Sequence, residues 1–231
     1  MIKRNYKKSV SWVERHRFQL LLASTILVLV LPAASGGILR EILFVTSMCF
    51  LLIQSMTVAT TGKSKRKWLR YFYVMVMIVL IILEPAGYKS LVFETIRLLN
   101  LATFFVLVTI FLIRFMKKSK KVNLNVIIAA INIYLLLGII AGSLAFLFYK
   151  ALSGAYNVPD YITEPNFVAF NYYSFVTMST VGYGDITPRL PQTQTLAYLV
   201  AITGQLYVAI VIAFLVGKLL MHPDHENESS K

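Results

Sequence analysis

Apolar positions arrive in long uninterrupted runs, and polar ones gather between them. Stretches without Asp, Glu, Lys or Arg cover residues 18–39, 42–62, 71–83, 98–113, 122–149 and 190–217. A helix needs about 20 mostly apolar residues to cross the hydrocarbon core of a bilayer. The runs 18–39, 42–62, 122–149 and 190–217 meet that length. The run 98–113 gains it if the stems of Arg97 and Arg114 snorkel outward. The run 71–83 is short, with Trp68, Tyr71 and Tyr73 suited to one membrane interface and Glu84 marking the other. The pattern predicts an all-α membrane protein with six transmembrane helices.

Between the fifth and sixth runs lie some forty residues whose polarity is uneven. Ser153 to Pro159 has loop chemistry. Asn166 to Met178 (NFVAFNYYSFVTM) is aromatic and aliphatic, which a solvent loop has no reason to be. Thirteen residues at 1.5 Å each make roughly 20 Å of helix, too short to span. The segment is therefore read as a re-entrant pore helix. Non-helical backbone at that depth is tolerated only when buried in protein or lining water. The stretch that follows it is Ser179 to Pro188, STVGYGDITP.

Composition agrees with a membrane protein: 58% of the 231 residues are hydrophobic and 14% charged, against about 25% charged in soluble domains. The net charge of +13 gains meaning from its placement. Of 23 basic residues, 16 fall in three alternate segments. These are Lys3 to Arg17, Lys63 to Arg70, and Arg114 to Lys121. Such alternation is the positive-inside pattern and predicts both termini in the cytoplasm. It gives no clustered basic face for nucleic acid, so no nucleic-acid partner is expected. Anionic lipid headgroups are a weaker partner for the basic segments.

A signal peptide ending near Leu31-Pro32-Ala33-Ala34-Ser35 is disfavoured. Its uncharged run is 22 residues long, against roughly 7–15 for a signal h-region. Cys49 is the single cysteine, so no internal disulfide can form. His16, His222 and His225 are scattered toward the expected cytoplasmic ends, where a solvated role outweighs metal binding.

The chemistry concentrates at Thr180, Val181, Gly182, Tyr183 and Gly184. Glycine adopts φ > 0 without steric cost. Alternating such residues with Val181 and Tyr183 turns successive carbonyls toward one axis. Four copies around that axis would replace the hydration shell of K⁺ with oxygens, the Thr180 hydroxyl closing the lowest site. The short helix before it would aim its partially negative C-terminal end at the membrane centre. Val181 and Tyr183 would point away from the axis and pack, with Tyr172 and Tyr173 as neighbours.

Thr180-Val181-Gly182-Tyr183-Gly184-Asp185 resembles the signature of the tetrameric potassium channels. The motif is matched here, since TVGYG is itself the known filter sequence. The resemblance covers about residues 120–220: outer helix, pore helix, filter and inner helix. It implies a homotetrameric, prokaryotic-type channel that conducts K⁺ passively in the plasma or bacterial inner membrane. The ion would bind the backbone carbonyls of Thr180, Val181, Gly182 and Tyr183 and the Thr180 hydroxyl. No cofactor and no catalysis are implied, and K⁺ is the permeant ligand. Tyr172, Tyr173 and Asp185 become filter supports. Gly204, 20 residues after Gly184, stands where many relatives carry a hinge glycine; close packing against a neighbouring helix explains it equally well. Val208, Ile212 and Val216 are candidates for the cavity lining or a hydrophobic gate. Two departures stand out. Val176 replaces the buried acid that some relatives place behind the filter, and tyrosines replace paired tryptophans.

The expected organisation is a basic N-terminus (1–17), a four-helix bundle (18–116), a basic linker (117–121), a pore domain (122–220) and a short tail (221–231). The bundle occupies the voltage-sensor position, yet sixteen uncharged residues separate Arg97 from Arg114. Moving one charge through 100 mV is worth about 2.3 kcal/mol, so steep gating needs several charges. Little intrinsic voltage dependence is expected, and Glu94 is placed to pair with Arg97. Two alternatives remain: a non-conducting sensor or modulatory subunit, and a weakly selective cation channel.

Overall fold

The computed structural model describes residues 2–34, 37–59, 67–83, 90–119, 121–162 and 165–220. The basic connection 60–66, residues 84–89 with Glu84, Lys120, and residues 221–231 with His222 and His225 lie outside the described residues. Helices dominate. They are α1 (Ile2–Val30), α2 (Gly37–Ala59), α3 (Lys67–Leu83), α4 (Leu91–Lys118), α5 (Leu124–Ala151), α6 (Phe167–Met178) and α7 (Pro191–Leu220). A short 3-10 turn, Leu31–Ala34, follows α1.

The boundaries follow from local chemistry. Ser90 caps α4 by accepting from the Phe93 amide, and Asn123 caps α5 by accepting from the Val126 amide. Asn166 accepts from both Val168 and Ala169 at the start of α6. Each side-chain oxygen satisfies an amide that the first helical turn leaves without a partner. Pro191 opens α7, where its missing N–H costs nothing.

Helices α2, α4, α5 and α7 are long and apolar enough to cross a membrane. The apolar parts of α1 (His16–Val30) and α3 (Tyr71–Leu83) are shorter. Four helices of that length in a chain built mainly of helices mark an all-α membrane protein.

α1 packs on α2 and also on α5, and α4 runs along α5. One contiguous core joins Phe18, Leu21, Met48, Leu51, Met77, Phe105 and Leu112 with Ile133, Leu136 and Ile139 of α5. The buried Asn132 amide pins α5 to α1 by donating to the Phe18 carbonyl at 3.2 Å. So two of the asparagines in the fifth apolar run act as cap and tie.

Two details differ from the sequence reading. Arg97 does not snorkel outward: it is 2% exposed and its Nη2 lies 2.7 Å from Glu94 Oε2 on the same face of α4. The carboxylate three residues earlier supplies the charge and hydrogen bond that burial removes from water. Tyr73 turns toward α4, where its hydroxyl donates to the Asn100 carbonyl at 3.1 Å, while Trp68 and Tyr71 remain exposed.

Candidate functional site: a backbone-lined loop between two helices

The loop of interest is set by how α6 sits on α5. Ser174 Oγ donates to the Gly138 carbonyl at 2.7 Å. A side chain at Gly138 would collide with the Phe175 ring. One at Gly142 would come within 2.9 Å of the Asn171 Cα. The two glycines, one helical turn apart, form a notch that receives α6. Phe170 of α6 is fully buried against the rings of Phe146, Tyr149 and Tyr156.

At its C-terminus α6 hands its last carbonyls to the loop. The Ser179 amide donates to Phe175 O, the Thr180 amide to Thr177 O, and both the Val181 and Gly182 amides to Val176 O. Helix ends leave such carbonyls without partners; here the loop's own amides satisfy them. The loop's donors are thereby turned back toward α6.

Its backbone then alternates. Thr180, Gly182 and Gly184 have φ of 62°, 58° and 79°, and Thr180 is the one non-glycine residue with positive φ among the described residues. Residues of positive φ alternate here with Val181 and Tyr183, whose φ is not positive, an alternation that can turn successive carbonyls the same way. For threonine this conformation costs about 1–2 kcal/mol, so the surroundings must hold it.

The far end of the loop is tied down. Asp185 accepts from the Tyr172 hydroxyl at 2.7 Å through Oδ2 and from the Ile186 amide through Oδ1. A two-residue antiparallel ladder pairs β1 (Tyr156–Asn157) with β2 (Thr187–Pro188). The Arg189 amide and the Thr193 hydroxyl both reach the Ala155 carbonyl. The ladder joins segments thirty residues apart, which is why Ser153 to Pro159 reads as plain loop in sequence.

The expected site residues divide by location. Tyr172 faces Asp185, whereas Tyr173 is buried away from it, its ring edge-on to Tyr156 and Phe170. Val181 and Tyr183 are 52% and 71% exposed, so the described residues leave most of both side chains uncovered, contrary to the expected packing. Gly204 lies at the closest approach of α7 to α6, where an added side chain would strike the Met178 carbonyl. Val208, Ile212 and Val216 are exposed on α7.

Three contributors escaped the sequence reading. Ser174 and Asn171 seat α6 on α5, and Gln205 donates its amide to Thr180 Oγ1 at 3.4 Å. The signal for Gln205 was available: it is a carboxamide in a stretch that is otherwise aliphatic and aromatic.

The structural boundary of this unit coincides with a family match. Residues 126–220, spanning α5 to α7, match the family model described as ion channel. The likeness is confined to that segment, and α1 to α4 fall outside it. No curated protein and no solved structure matches the chain.

Proposed function

We propose that the protein is a potassium-selective channel in which four copies each contribute one loop, Thr180 to Gly184, to a shared axis. The observation that carries this is the alternating left-handed backbone at residues 180, 182 and 184, with the loop's first amides consumed by α6. Carbonyl oxygens freed in this way suit a dehydrated monovalent cation of the size of K⁺. Four copies are needed because one strand offers oxygens from a single side. The exposed Val181 and Tyr183 and the exposed apolar length of α7 are surfaces that neighbouring copies would cover.

The channel acts passively and without a cofactor. The charge pattern supports six spans with both termini in the cytoplasm and the loop facing outward. Exposed Arg114, Lys117 and Lys118 are placed to meet anionic headgroups on the cytoplasmic side. Helices α1 to α4 form a peripheral bundle with little voltage sensing, because Arg97 is neutralised in place by Glu94.

Flux from proteoliposomes tests the reading. K⁺ efflux well above Na⁺ efflux is expected. Equal fluxes would reduce the protein to a weakly selective cation channel, and no flux would leave a non-conducting membrane subunit.

A further inference from the structure

We propose that Gln205 is a positioning residue that fixes the Thr180 hydroxyl and so sets cation affinity at the innermost position of the filter. The proposal rests on the channel reading above and adds a residue outside the TVGYG motif.

The geometry begins one residue earlier. Gly204 has no side chain, which brings α7 against the C-terminal carbonyl of α6 at Met178. The next residue then lies beside the first residue of the filter, and Gln205 Nε2 donates to Thr180 Oγ1 at 3.4 Å. Gln205 is exposed within the single chain, so it faces the same open side as the loop. The helical period places it on one face with Val208, Ile212 and Val216. That face continues inward from the filter along α7.

The chemistry follows from the valence of a hydroxyl oxygen, which offers one proton and two lone pairs. With one lone pair held by the Gln205 amide, the other lone pair and the proton are left two directions. A cation coordinated by Thr180 takes the lone pair and turns the proton away. Without the amide the hydroxyl rotates freely, and its proton competes for the cation's position. Gln205 is exposed within the single chain, and its amide is directed to the Thr180 hydroxyl.

The test uses the full chain in planar bilayers, with Ba²⁺ on the side of the α7 C-terminus as the probe. Ba²⁺ is close to K⁺ in size and doubly charged, so its block reports the innermost position. In Gln205→Leu, the half-blocking Ba²⁺ concentration should rise about three- to tenfold, the change expected from losing a single net hydrogen bond. The K⁺/Na⁺ permeability ratio should stay as in the wild type. In Gln205→Glu, the carboxylate should tighten the block at neutral pH. On acidification its protonated carboxyl again offers a donor, and the block should relax to the wild-type value.

Unchanged Ba²⁺ block in a conducting Gln205→Leu channel overturns the proposal. So does a loss of selectivity in that variant, which would mark a merely structural role. If Gln205→Leu fails to assemble, the glutamate series decides, and relaxation past the wild-type value to a much weaker block overturns the proposal. A wild-type protein without K⁺ flux overturns the channel reading, and this proposal falls with it.

Discussion

Helices α4 and α7 manage polarity in opposite ways. In α4 the charged Glu94 and Arg97 are turned inward and neutralise each other within the bundle. In α7 the apolar residues are turned outward, and of thirty residues only Thr193, Gly204 and Lys218 are buried. The first arrangement is complete within one chain. The second is unfinished, because a helix that is apolar all round needs lipid or further protein about it. The contrast bears on the proposed function: the buried ion pair of α4 is satisfied within one chain, whereas the loop 180–184 and α7 present the exposed surfaces that the proposed assembly would cover.

The glycines show the same difference in detail. A side chain at Gly182 would meet nothing within 4 Å, and its constraint is the φ of 58°. At Gly204 the backbone is ordinary helix, and the constraint is the Met178 carbonyl. The largest expected effect therefore comes from Gly182→Ala. Forcing a Cβ into the left-handed region costs roughly 1–2 kcal/mol per chain, and in the proposed tetramer that cost falls on all four strands of the filter. Selective K⁺ flux should disappear while the protein still inserts and folds. Unchanged flux and selectivity would remove the filter assignment.

The bundle is challenged next. Arg97→Met strands a buried carboxylate and should destabilise the protein by about 3–5 kcal/mol. The double variant Glu94→Gln/Arg97→Met should recover most of that loss. Thermal unfolding in detergent reads both; equal destabilisation by the single and double variants would show that the pair is not what matters there.

Gly204→Ala should cost about 1–3 kcal/mol through overpacking against α6. If Gly204 serves as a hinge instead, the substitution would leave stability intact and alter open probability alone. Measuring both in one preparation separates the two roles.

Tyr172→Phe removes the hydroxyl that reaches Asp185. The bond is exposed, so the loss should be about 1 kcal/mol, seen as a faster decline of K⁺ current with selectivity retained. A current trace that matches wild type would leave Asp185 held by its Ile186 contact alone.

The smallest effect concerns voltage. The conductance–voltage relation should be shallow, and the double variant at residues 94 and 97 should not change it. A steep relation with several gating charges would break the distinction between a quiet bundle and a conducting loop.

Much of this was legible in one dimension. Apolar run lengths placed α2, α4, α5 and α7, because bilayer thickness acts on each helix separately. The run 18–39 instead breaks after Val30 at the turn Leu31–Ala34, and its last residues belong to α2. The short helix before the loop was legible too, since its aromatic and aliphatic residues have no place in solvent. Glu94 with Arg97 could be paired from their spacing, a local geometry of the helix surface. What spacing could not tell was burial: nothing in residues 94–97 distinguishes an exposed pair from the buried one observed.

Tertiary structure alone decided the contacts between segments distant in sequence. Gly138 and Gly142 look like ordinary helix-packing residues until α6 fills the notch they form. Tyr172 and Tyr173 are adjacent and chemically alike, yet one turns to Asp185 and the other into the core. Their separation by about 100° around the helix decides which faces the loop. Gln205 reaches Thr180 only because Gly204 lets two helices touch. The sequence by itself determined where the long apolar helices α2, α4, α5 and α7 lie and where glycine makes positive φ affordable. The packing of α5, α6 and α7 decided which side chains hold that backbone in place, because such contacts depend on helix rotation and approach, which no local pattern encodes.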